Sequence, residues 1–132
     1  PCAPVVTIDN ASVLFDVNEL NRVVGSDRFM ICTHDYMREY SNQYGGVMHK
    51  KTLENKYTGR PQVVRDFSFM YYVLTEVQER CDARCLVNTS FNAHGRPIAF
   101  DTTEILQNFE YQREHALKEP LLFVIDLTDE EN

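Results

Sequence analysis

Residues 84–100 read Arg84-Cys85-Leu86-Val87-Asn88-Thr89-Ser90-Phe91-Asn92-Ala93-His94-Gly95-Arg96-Pro97-Ile98-Ala99-Phe100, and their character changes once, sharply. The apolar run Cys85 to Val87 has the length and composition of a buried strand, predicted over 84–88. Amide and hydroxyl side chains follow at once, and Gly95 and Pro97 close the stretch. A strand therefore delivers polar groups into a turn. Hydroxyls, side-chain amides and turn N–H groups at a strand end can converge on phosphate or carboxyl oxygens, which need several donors each. The same residues also suit a polar turn that bonds to itself in Asx fashion, and spacing does not choose between the two.

Outward from that stretch the chain alternates strands and helices. Upstream, residues 4–8 are β-prone, and a short helix is predicted from Ala11 to Val17, burying Val13, Leu14 and Val17. Gly25-Ser26-Asp27 marks a turn, and Phe29 to Thr33 reads as a buried strand. From Tyr36 to Tyr57 periodicity disappears, which in a compact domain points to a binding loop or lid, with Gly45-Gly46 as its bend. Arg60 to Val64 is a candidate strand, and Asp66 is placed to cap the next helix. Met70, Val73, Leu74, Val77 and Cys81 recur there at three- and four-residue steps. Downstream, Asp101-Thr102-Thr103-Glu104 forms a reciprocal helix cap with Ile105, Leu106 and Phe109 facing inward, and Leu121 to Leu127 is the last strand. The connections are too irregular for a doubly wound repeat. The predicted fold is α/β, a twisted mixed sheet flanked by helices.

Composition narrows the function. A chain of 132 residues makes one domain, 1–132, able to bury about two thirds of its unfolded surface. No apolar run approaches a membrane span and no leader is evident, so a soluble, cytoplasmic protein is expected. The net charge of −7 argues against general nucleic-acid binding. Yet between His49 and Arg65 lie Lys50, Lys51, Lys56, Arg60 and Arg65 against Glu54 alone, where an anion would concentrate. A solvated basic loop is the plainer reading of the same stretch. Cys2, Cys32, Cys81 and Cys85 do not form a disulfide framework, and the Cys81 to Cys85 spacing suits a zinc knuckle poorly, so free thiols and no metal site are expected.

Asn88-Thr89-Ser90-Phe91-Asn92 followed by His94-Gly95-Arg96-Pro97-Ile98 resembles the signature near the C-terminus of the O-carbamoyltransferases acting on nodulation factors and antibiotics. Ala3-Pro4-Val5-Val6, Phe29-Met30 and Thr58-Gly59-Arg60-Pro61-Gln62-Val63-Val64 fall in the family's order. The resemblance implies the YrdC-like form of the α/β fold. It further implies binding of ATP, with Mg²⁺, and of carbamoyl phosphate to make carbamoyl-adenylate. Transfer to an acceptor hydroxyl would follow in a separate N-terminal domain, where iron or another metal is expected.

Carried over by position, Arg60, Ser90 and Asn92 are the expected catalytic residues. Arg60, Asn88, Thr89, Ser90 and Asn92 are the expected nucleotide contacts, with Lys50 and Arg38 beside them; Arg38, Lys50 and Lys51 compete for the place of the family's further basic residue. In the family an Arg-Pro precedes the Ala-Pro motif, so the chain is expected to be a piece of a longer protein. Two departures stand out: Glu54-Asn55-Lys56-Tyr57 fills the place of a Thr-His-x-Asp-Gly run, leaving His49 without a clear role, and His94 falls on a variable position, where a turn-stabilising role is expected. A second reading is a non-catalytic nucleotide-binding or regulatory module that docks on a partner.

Overall fold

A computed structural model describes residues 2–16, 26–40, 43–51, 56–65, 68–92, 95–118 and 120–122. The chain falls into two compact units, Pro1–Thr89 and Ser90–Asn132. The fold is mixed α/β.

In the first unit β1 (Ala3–Thr7) is buried along its whole length. It is the centre of a three-stranded sheet. Strand β5 (Gln62–Val64) runs parallel to it, with Val5 opposite Gln62, and β6 (Leu86–Asn88) runs antiparallel, with Ala3 opposite Asn88. A strand covered on both faces needs an unbroken apolar run, which Ala-Pro-Val-Val provides. Pro4, with no N–H to give, lies ahead of the point where pairing with β5 begins. The second sheet is antiparallel, with β4 (Lys56–Gly59) between β2 (His34–Asp35) and β3 (His49–Lys51). Only Arg60 and Pro61 separate β4 from β5, so the two sheets are joined through them.

Helix α1 (Ile8–Leu14) follows β1 directly because Thr7 caps it, its hydroxyl accepting the Asn10 N–H at 3.3 Å. Val6, Ala11, Leu14, Phe15, Tyr36 and Val63 form one buried cluster where α1 meets both sheets. Asn10, itself buried, donates through Nδ2 to Gln78 Oε1 at 2.7 Å and accepts from Arg84 at 3.2 Å, tying α1 to α2 (Phe69–Cys81) and to the segment entering β6. Asp82 ends α2 in the left-handed conformation, φ 53°, its N–H bonded to the Gln78 carbonyl.

Several expectations change. The helix expected from Ala11 starts at Ile8, and Phe15 leaves it to form a bridge with Tyr36; Val17 lies outside the described residues. Residues 29–33 are not a strand. Phe29 closes a 3₁₀ turn (Ser26–Phe29), Met30 has φ 56°, which breaks any extended run, and Phe29 and Ile31 are exposed. The aperiodic stretch after Tyr36 contains 3₁₀ turns at Arg38–Tyr40 and Gly45–Val47 and then the β3–β4 pair. Strand β5 begins at Gln62, one residue after Pro61, which has no N–H to give to a ladder. On α2 only Leu74 is fully buried while Met70 and Cys81 are exposed, since a three-stranded sheet is narrower than a 13-residue helix is long. The helix N-cap is Ser68; the expected cap Asp66 lies outside the described residues. Strand β6 has two half-buried residues around Val87, which is 55% exposed, so the buried strand expected at 84–88 is a short one at the margin of the sheet.

The second unit is built on α3 (Thr102–His115). Asp101 caps it by accepting the Glu104 N–H at 2.9 Å, and the Glu104 carboxylate reaches back to the Phe100 N–H at 2.6 Å, the reciprocal arrangement expected. Leu106, expected to face inward, is exposed, whereas Asn108 is buried and donates to the Phe91 carbonyl at 3.4 Å. The expected strand 121–127 lies almost wholly outside the described residues, as does His94.

Candidate functional site

Strand β5 runs parallel to β1 and begins opposite Val5, and β6 runs the opposite way and ends opposite Ala3. One end of the sheet therefore carries Ala3, Gln62 and Asn88, with Arg60-Pro61 just before β5 and Thr89 just after β6. Topology thus brings the Thr58-to-Val64 motif and the start of the signature to one place in the first unit. Asn88 Nδ2 donates to Gln62 Oε1 at 2.5 Å and lies 3.4 Å from Met30 Sδ, which ties the two outer strands across β1.

Arg60 is half-buried. Among the described residues its guanidinium has no hydrogen bond or ion pair. Its neighbours are fixed: Pro61 is fully buried, and Gly59 lies under Tyr36, so that a Cβ at Gly59 would meet Tyr36 Cε2 at 2.6 Å. A guanidinium held at a strand end can bind phosphate through its forked donors.

The basic stretch does not act as a block of like charge. Asp35 on β2 takes Lys51 from β3 at 3.2 Å and Lys56 from β4 at 3.0 Å, because the antiparallel ladder lays the three strands side by side. Partial burial pushes the Asp35 carboxyl up, but the hydrogen bonds and charges of Lys56 and Lys51 outweigh it and hold the group below its ordinary range. Lys50, opposite Tyr57, and His49, opposite Thr58, are exposed; the His49 carbonyl accepts the Thr58 hydroxyl at 3.3 Å. Arg38 sits in its 3₁₀ turn and is exposed.

Beneath this region Tyr36 packs on Phe15 with ring centroids 4.4 Å apart, and burial pushes its phenol well above its usual value. Both ring nitrogens of His34 and the Tyr36 hydroxyl are buried without a hydrogen-bond partner among the described residues. Burial raises the Cys85 thiol to about 11, so it stays protonated and is a poor metal ligand. Among the described residues no group of three or more His, Cys, Asp or Glu is placed to hold a metal ion.

In the second unit the signature turn largely bonds to itself. Asn92 Nδ2 donates to the Arg96 carbonyl at 2.7 Å, the Asn92 N–H donates to the Ser90 carbonyl at 3.0 Å, and the Ala99 N–H to the Phe91 carbonyl at 2.9 Å. Gly95, at φ 76°, supplies the left-handed residue inside that loop. Thr89, in the first unit, and Ser90 both have exposed side chains. Arg96, a variable position of the signature, lines a groove of about 510 Å³ with Leu106, Gln107, Tyr111 and Glu114. Spacing gave no sign of Asp35, Gln62, Tyr36 or Arg96, whose roles arise from partners distant in the chain or from the turn's shape.

A family model described as carbamoyltransferase C-terminus matches residues 1–120. The chain belongs to that family and is a carbamoyltransferase C-terminal domain. No curated protein matches it. Among the described residues no helix is long and apolar enough to cross a membrane.

Proposed function

We propose that this domain binds ATP, with Mg²⁺, and carbamoyl phosphate; water releases inorganic phosphate from carbamoyl phosphate to leave carbamate, whose oxygen attacks the α-phosphorus of ATP to form carbamoyl-adenylate with pyrophosphate leaving, so feeding O-carbamoyl transfer to an acceptor hydroxyl in a separate N-terminal domain. The reading takes residues 1–132 as one functional domain of YrdC-like fold working in the cytoplasm. Arg60 binds phosphate oxygens, with Lys50 or Arg38 as the further cation. Asn88 and Thr89 contact the nucleotide, and Ser90 and Asn92 hold the phosphates and the carbamoyl end. The chemistry calls for positioned donors more than for a protein nucleophile, because charge on the phosphates and on the carbamoyl oxygen must be stabilised.

The observation that carries this reading is Arg60, a half-buried guanidinium without a protein partner among the described residues, at the sheet end where β6 delivers Asn88 and Thr89. The test is carbamoyl-phosphate-dependent exchange of pyrophosphate with ATP. Exchange is expected in the wild-type chain, and Arg60→Ala is expected to weaken ATP binding by about 1 to 3 kcal/mol, the scale for hydrogen bonds to charged groups. ATP affinity unchanged in both Arg60→Ala and Arg60→Lys would remove the assignment. The self-bonded turn at Asn92 favours the second reading, a nucleotide-binding or regulatory module that docks on a partner, and ATP binding without exchange would select it.

A further inference from the structure

We propose that Tyr36 is a positioning residue for Arg60, acting through Gly59. This rests on the reading of Arg60 as the phosphate ligand. Gly59 has no room for a side chain, since a Cβ there would lie 2.6 Å from Tyr36 Cε2 and 2.9 Å from its hydroxyl oxygen. The ring cannot give way. Tyr36 is 7% exposed, its ring packs on that of Phe15 with centroids 4.4 Å apart, and its backbone N–H donates to the Tyr57 carbonyl at 2.8 Å. No hydrogen bond among the described residues engages the hydroxyl, so packing alone keeps the ring over Gly59.

The other flank of Arg60 is equally restrained. Pro61 is fully buried, and its ring fixes its own φ while confining the residue before it to extended backbone. Arg60 therefore stands between a glycine pressed under an aromatic ring and an immobile proline. The backbone that carries the guanidinium is set before any anion arrives, and a ligand need not order it. Gly59 and Tyr36 form a size-matched pair: enlarging one calls for shrinking the other.

The experiment compares four forms of the 132-residue chain by ATP titration and by ¹⁵N relaxation of the Arg60 Nε–H without ligand. These are wild type, Gly59→Ala, Gly59→Ala with Tyr36→Leu, and Gly59→Ala with Tyr36→Phe. Gly59→Ala is expected to lower ATP affinity about tenfold, a loss on the scale of removing a charged hydrogen bond, and to lower the Arg60 order parameter. Pairing it with Tyr36→Leu restores both, whereas Tyr36→Phe keeps the obstructing ring and restores neither. A folded Gly59→Ala protein with wild-type affinity and wild-type Arg60 order overturns the proposal, as does a stable Leu double variant that recovers neither. A wild-type chain that binds no ATP overturns the ligand reading alone, and the relaxation data then decide whether the clamp exists.

Discussion

Asp35 is one carboxylate shared by two lysines, and the arrangement has a pH signature. Its pKa is lower in the folded chain than in the unfolded one. The stability it contributes is therefore complete above the unfolded carboxylate range and is lost as pH falls through the folded value. Asp35→Asn is expected to cost roughly 0.5 to 1 kcal/mol at pH 7, the lysines being about half exposed, and the melting temperatures of the two proteins should converge between about pH 5 and pH 2. A difference that stays constant over that range would assign the effect of Asp35 to something other than its ion pairs. The linear charge count could not show this. It placed five cations against Glu54, whereas the counter-charge stands many residues earlier and is brought in by β2–β4 pairing.

At the scale of elements, the start of α3 was legible because its chemistry is confined to a few adjacent residues. Asp101 and Glu104 cap the helix as their order in the chain predicts. Asp101→Ala is expected to cost about 1 kcal/mol, seen as a lower urea midpoint with the slope unchanged. Asp101→Asn, which keeps an acceptor, should cost less. Strands β1 and β5 were likewise readable from apolar runs, although β5 was expected from Arg60 and begins at Gln62. Residues 29–33 were not, because the apolar pattern of Phe29-Met30-Ile31 is the same whether the backbone is extended or, as at Met30, left-handed. The hairpin after Tyr44 was hidden for a different reason. Its three-residue strand β3 is exposed throughout and so has no alternation to reveal it.

For the whole molecule, family membership was readable from the signature, and the sheet end explains how two of its motifs meet. The proposed division of labour predicts that the chain incubated with ATP, Mg²⁺, carbamoyl phosphate and a panel of hydroxylated acceptors makes no carbamate ester. Adding a carbamoyltransferase N-terminal domain should supply the activity. Rapid ester formation by the 132 residues alone would mean that acceptor chemistry resides here as well. The contact between Gly59 and Tyr36 also bears on how such a chain drifts over generations. Neither residue can change size first without an unfavourable intermediate, so lineages should be found in two camps, glycine beneath a large ring or a small side chain beneath a reduced one, with few sequences in between.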